Sequence, residues 1–238
     1  MCSRFRFVSR KLDLYSKMYF QKFIKGINGI KKFQAEHMLE NGIPCNWWRN
    51  QNRISPIEVK SKLIEPNVEL HLNKYDKQLP SSHPEFAPNR TYGDISPFIS
   101  TTAGAYQRAY NDQYDFGFNK LFSPLVTALG FATKTFTSDG VLFYGYLITL
   151  GKKAVEMQQF AEEVREMHIY TNYLPHHHEG EIMAKIIIPS VQIEKVEFYD
   201  SDGLLEKIER KEKIKPTFSI KNLYYKDPNK FSNIREIL

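Results

Sequence analysis

The stretch Tyr173-Leu174-Pro175-His176-His177-His178-Glu179-Gly180-Glu181-Ile182-Met183-Ala184-Lys185-Ile186-Ile187-Ile188 sets two carboxylates two residues apart, immediately ahead of an apolar run. A run of this length bounded by turn residues reads as a strand, here over residues 181–188. On an extended chain, residues i and i+2 project to the same side, so Glu179 and Glu181 are expected to face one cleft. Two carboxylates that close titrate as a pair, one holding a developing cation while the other handles a proton. His176, His177 and His178 alternate sides in the same way, so at most two point together. With no Cys or carboxylate pair at ligand spacing nearby, no metal site is expected.

Working outward, strands are predicted at 98–102, 141–150, 154–158 and 193–199, with an acidic helical stretch near 160–167. Phe98-Ile99-Ser100-Thr101-Thr102-Ala103 closes its strand with hydroxyls, and residues 103–132 read as helical material broken at Gly117, Pro124 and Gly130. Upstream, residues 41–53 read as a short strand leaving a loop at its end. There Trp48-Arg49-Asn50-Gln51-Asn52-Arg53 places a guanidinium at the strand terminus. Residues 55–64 read as helix and 67–94 as irregular loops. Residues 201–238 read as a charged extension with one strand. Helices early and strands late make an α+β domain rather than alternating βαβ units.

From Lys11 to Leu39, apolar residues recur at near-helical spacing among lysines, interrupted by Gly26 and Gly29, which predicts a broken amphipathic helix in residues 1–40. That segment carries nine Lys or Arg against three acids, a net of +6, while the remaining residues balance at 24 of each sign. The basic character therefore belongs to an arm, and a nucleic-acid binder is not indicated. The arm is read as a helix packed on the main domain, as a basic face for an acidic membrane or partner surface, or as a mitochondrial-type address. Val141 to Leu150, the longest apolar run, is half of the roughly 20 residues a membrane-spanning helix needs. No Sec-type signal peptide is written at the start. No Gly-x-Gly-x-x-Gly, P-loop or Cys-x-x-Cys occurs, and Cys2 and Cys45 alone do not define a disulfide framework.

Taken in order, the arginine, Ser-Thr-Thr and Glu-Gly-Glu segments resemble the Arg, Ser-Thr-Ser and Glu-x-Glu motifs of the mono-ADP-ribosyltransferases, in the branch of cholera toxin and heat-labile enterotoxin A subunits. The likeness extends to Glu58-Val59-Lys60 after the second arginine, to the Tyr-x-Pro-His-x-x-Glu-x-Glu run beginning at Tyr173, and to Ile188-Pro189-Ser190-Val191-Gln192-Ile193. It covers roughly residues 45–200. The resemblance implies a split β-sandwich ADP-ribosyltransferase fold at 41–200, flanked by the helical extension at 1–40 and the charged extension at 201–238. It implies an enzyme that uses NAD as substrate and modifies arginine on a host protein, as a toxin or injected effector. Such a protein is secreted without a Sec-type signal and acts in the host cytosol, with mitochondrial association left open. An NAD glycohydrolase, or an idle binding module of the same fold, is the alternative.

The resemblance also assigns roles. Glu181 is the catalytic carboxylate that stabilises the ribosyl cation, and Glu179 orients and deprotonates the acceptor, because guanidinium is a poor nucleophile without a neighbouring base. Arg49 holds the phosphates or ribose of NAD and Ser100 fixes the Glu181 rotamer. Thr101 and Thr102 brace the backbone beside them, and Tyr173, with Tyr170, offers a stacking surface. The toxin A subunits carry a His in the segment matching Leu72 to Lys77. Here Lys77 stands nearest, and whether His71 or His83 substitutes is left open. Their activating disulfide and B-ring tether are not recognisable.

Overall fold

A computed structural model of the chain describes residues 18–50, 56–103, 124–150 and 181–230. The main element is a six-stranded antiparallel sheet in the order β5-β3-β1-β4-β7-β8. Its strands are β1 (Met18–Asn28), β3 (Phe98–Ala103), β4 (Gly140–Leu150), β5 (Glu181–Lys185), β7 (Ile193–Tyr199) and β8 (Phe218–Lys221). A second sheet of two strands, β2 (Ile43–Pro44) and β6 (Ile187–Ile188), pairs Ile43 with Ile188. Helices are α1 (Lys32–Asn41), α2 (Asn46–Arg49), α3 (Pro56–Lys62), α4 (Glu65–Asn73), α5 (Pro124–Ala132) and α6 (Leu204–Glu209). Early helices with an antiparallel sheet make this an α+β architecture.

The expected helix in residues 1–40 is corrected over Met18–Asn28, which is a strand in the middle of the sheet. It pairs along its whole length with β4, from Met18↔Leu150 to Asn28↔Gly140. Phe23 and Ile27 join Ala35, Leu39, Phe143 and Val196 on one face, whereas Ile24 joins Ala128, Leu129 and Leu142 on the other. A strand covered on both faces does not alternate cleanly between apolar and polar, so its residues also fit a helical stripe. Gly26 then decides against the stripe. A Cβ there would stand 2.2 Å from the Ala128 carbonyl oxygen, because α5 lies directly on the strand.

Strands predicted at 98–102, 141–150 and 193–199 coincide closely with β3, β4 and β7. The run at 181–188 is broken at Ile186, a branched residue at φ 62° that turns the chain from the main sheet into the small one. Its N–H bonds the Pro97 carbonyl at 2.8 Å and its carbonyl accepts from Cys45 N–H at 2.7 Å, so the corner is held from both sides. The loops expected at 67–94 contain a helix, α4, with Pro at its first turn, a position where the missing N–H costs nothing. The strand and helix expected at 154–158 and 160–167 lie outside the described residues.

One further expectation finds a place. The C-terminal extension supplies β8, which pairs with β7 from Lys195↔Lys221 to Phe198↔Phe218. Cys45 is a buried free thiol whose Sγ accepts the Trp48 N–H at 3.3 Å and caps α2. Burial pushes that thiol up to about 11, so it stays protonated and unreactive near neutrality.

Candidate functional site

Among the described residues, strands β1 and β3 pair at Phe23↔Ala103 and Ile24↔Thr102. Beyond Ile24, β1 stays bonded to β4 while β3 turns away to pair with β5, so the sheet splits. The Thr102 hydroxyl ties the crotch, donating to the Ile24 carbonyl at 3.1 Å. The opening below it is a cleft of about 890 Å³, within the range of roughly 300–1,000 Å³ that small-molecule sites occupy. Lys25, Arg49, His71, Ser100 and Glu181 line it together.

Register explains why Ser100 and Glu181 meet. In the β3–β5 pair Ser100 stands opposite Met183 and Thr102 opposite Glu181, and alternation puts all four on one face. His71 reaches the same place from α4. Val68, His71 and Leu72 form one helical stripe. Val68 packs on Phe98 and Met183, and His71, with 4% of its surface exposed, follows it into the cleft wall.

His71 is held at both nitrogens. Nδ1 lies 2.6 Å from the Ser96 hydroxyl, and Nε2 lies 2.8 Å from the Ser100 hydroxyl and 3.6 Å from Glu181 Oε1. The Ser96 oxygen also accepts the Phe98 N–H at 3.2 Å. All partners are satisfied when Ser96 donates to Nδ1, Nε2–H donates to Ser100, and Ser100 donates to Glu181. Burial pushes the Glu181 carboxyl up, but the hydrogen bond and charge of His71, the Ser100 hydroxyl and the Lys25 ammonium outweigh it and hold the group below the usual carboxylate range. Glu181 is therefore an anion at neutral pH, and its nearest contacts, the Ser100 hydroxyl and the His71 ring, hold it at the cleft.

Arg49, which also lines the cleft, ends the short helix α2 rather than a strand, a correction to the expected strand terminus. The helical turn arises because Cys45 supplies the cap and Trp47 is buried beneath it. The Arg49 guanidinium donates to Asn46 Oδ1, whose amide donates in turn to the Tyr75 hydroxyl at 3.0 Å and the Gly93 carbonyl at 3.0 Å. Tyr75 stands edge-on to His71, their ring centroids 5.2 Å apart. A continuous chain of contacts thus joins the guanidinium to the carboxylate through Asn46, Tyr75 and His71. Gly93 is required where it passes Tyr75, since a Cβ would come within 2.7 Å of the ring.

Of the sequence-based candidates, Arg49, Ser100, Thr101 and Glu181 all line this one cleft. Thr101 is buried and registered with Ile182, on the strand face opposite that of Ser100. Glu179, Tyr170, Tyr173 and the three consecutive histidines lie outside the described residues, as does Arg53. Between the two histidines left open, His71 lines the cleft, whereas His83 accepts the Glu85 N–H at 3.0 Å and packs against Tyr92. Sequence reasoning did not single out Lys25, Asn46, Tyr75 or Ser96. Only the position of Tyr75 within the segment after His71 offered a signal. Among the described residues no group of three or more His, Cys, Asp or Glu has the arrangement of a metal site, and no helix is long and apolar enough to cross a membrane.

An anionic carboxylate fixed by a hydroxyl and an imidazole, in one cleft with a guanidinium, suits a ligand with a phosphate at one end and a centre that becomes cationic at the other. The sequence matches no protein-family model and no curated protein.

Proposed function

We propose that the chain is an NAD-dependent mono-ADP-ribosyltransferase that modifies arginine on a target protein, with the split β-sandwich fold of that family. The observation that carries this reading is the meeting of Arg49, Ser100 and Glu181, three segments far apart in sequence, around one cleft. The same cleft supplies a histidine, His71, beside the carboxylate. In this reading the bond from ribose C1′ to the nicotinamide nitrogen breaks with its electron pair leaving on nicotinamide. Glu181 stabilises the positive charge that develops on the ribose. A guanidinium nitrogen of the target attacks C1′ and its proton passes to Glu179, so NAD and arginine yield ADP-ribosyl-arginine, nicotinamide and a proton.

The test is incubation with labelled NAD and a lysate, followed by mass spectrometry of the labelled protein. The reading expects label on an arginine. It expects Glu179→Ala to lose transfer by about a hundredfold or more while NAD cleavage persists, the magnitude of a lost general base. Free ADP-ribose with no labelled protein in any lysate would replace the transferase by a glycohydrolase. A folded sample without any NAD turnover would overturn both.

A further inference from the structure

We propose that Lys25, on the central strand β1, is a second cationic anchor for the diphosphate of the ligand, acting together with Arg49. The inference rests on the NAD reading and adds a residue to it from outside the three motif segments. Lys25 is the first β1 residue beyond the last β1–β3 pair, Ile24↔Thr102, so it stands where the sheet opens into the cleft. Among the described residues it has neither a hydrogen bond nor an ion pair, and it feels the charges of Glu181 and Arg49. A partly buried ammonium with no partner is costly, and the cost needs a reason.

The charge balance of the cleft supplies one. Its lining holds four Lys or Arg, namely Lys25, Arg49, Lys74 and Lys77, against two carboxylates, Asp76 and Glu181. The excess is positive, and a diphosphate bridge with one negative charge on each phosphate would neutralise it. Arg49 is committed to a neutral amide, Asn46, and so keeps its full charge for a ligand as well. Burial pushes the Lys25 ammonium down to about 8, with Glu181 pulling it up and Arg49 pushing it down, which leaves it mostly protonated at neutral pH. An arriving anion relieves both the desolvation of Lys25 and its repulsion from Arg49.

The experiment is calorimetric titration of the full chain with ADP, with adenosine and with NAD, using wild type, Lys25→Met, Lys25→Gln and Lys25→Arg. Lys25→Met is expected to weaken ADP and NAD about tenfold and to leave adenosine unchanged, the loss of one charge-assisted contact. Lys25→Arg should restore most of the ADP affinity. In turnover, the loss should appear chiefly in KM, because an interaction with the diphosphate is the same in ground and transition states. Replacing a desolvated cation by an apolar side chain should also raise Tm. If Lys25→Met unfolds instead, Lys25→Gln carries the same comparison.

Unchanged ADP binding in both variants would overturn the inference. So would a fall in kcat with a displaced pH–rate profile and intact ADP affinity, since Lys25 would then serve Glu181 alone. Failure of the wild type to bind ADP and NAD at all would remove the NAD reading itself, a distinct result.

Discussion

Two carboxylates on the sheet, Glu197 buried and Glu181 half-buried, live very differently. Glu197 on β7 is closed off: Lys195 reaches one oxygen at 2.5 Å, and the Tyr199 hydroxyl donates to the other at 2.6 Å. Tyr144 backs the group, 3.2 Å from the Tyr199 hydroxyl, with the Lys195 ammonium 4.5 Å from its ring centroid. Glu181 on β5 faces a cleft, and its contacts are a hydroxyl and an imidazole rather than a bonded cation. Burial pushes both groups up and both end below the usual carboxylate range, Glu197 through Lys195 and the tyrosines, Glu181 through His71, Ser100 and Lys25. A depressed carboxyl group therefore does not by itself mark a site. What distinguishes Glu181 is that its charge is held without being consumed, and that space for a ligand lies beside it.

The largest effect that would sharpen this contrast is on turnover. Glu181→Gln keeps the shape and one acceptor for the Ser100–His71 chain, so stability should change by about 1 kcal/mol or less while NAD cleavage falls about a thousandfold or more. Comparable turnover in Glu181→Gln and wild type would make the two carboxylates equivalent after all.

Next comes His71→Ala, for which we expect kcat to fall about a hundredfold, the scale at which loss of a positioning partner is felt. Because His71 is the largest influence lowering Glu181, its removal should raise the carboxyl group. The acid limb of the pH–rate profile then moves to higher pH, since the active form is ionised. A profile that keeps its position would show that His71 acts only by filling space.

For Glu197 the expectation is reversed. Glu197→Gln should cost about 2 kcal/mol of stability, measured by denaturant unfolding at pH 7, with turnover per folded molecule unchanged. The pH dependence follows from its lowered folded-state value. Ionised Glu197 contributes stability above the carboxyl value of the unfolded chain, and the contribution is lost as pH falls through the lower folded value. The variant should therefore lose less stability on acidification than wild type. A smaller effect, about 1 kcal/mol with a modest drop in kcat, is expected for Gly93→Ala, whose methyl group would press on Tyr75 and shift its edge contact with His71. An unaltered kcat there would separate the Arg49–Asn46–Tyr75 chain from the carboxylate side of the cleft.

Much of this was legible in sequence and some was not, for reasons that attach to particular residues. The strands at Phe98–Ala103, Gly140–Leu150 and Ile193–Tyr199 announced themselves because β-branched and aromatic runs bounded by Gly, Pro or Asp have few other readings. Met18–Asn28 reads as helix in sequence because Phe23, Ile24 and Ile27 fit a 3.6-residue stripe as well as a strand covered on both faces. Glu65–Asn73 was passed over because one position of its apolar stripe is His71, which reads as polar in sequence and is buried in the fold.

The sequence alone determined which residue types were available and which of them must share a strand face: Glu181 with Met183, and Ser100 with Phe98 and Thr102, follow from the two-residue period of extended backbone. It determined, too, that the positive charge is concentrated near the N-terminus. Only the tertiary structure decided that a segment bearing two of those basic residues, Lys22 and Lys25, is a central strand, that the sheet parts between Ile24 and Lys25, and that His71 rather than His83 stands beside the carboxylate. The physical reason is range. Periodicity and turn chemistry act over a few residues, whereas strand order, the split and the meeting of positions 25, 49, 71, 100 and 181 depend on contacts between residues far apart in the chain.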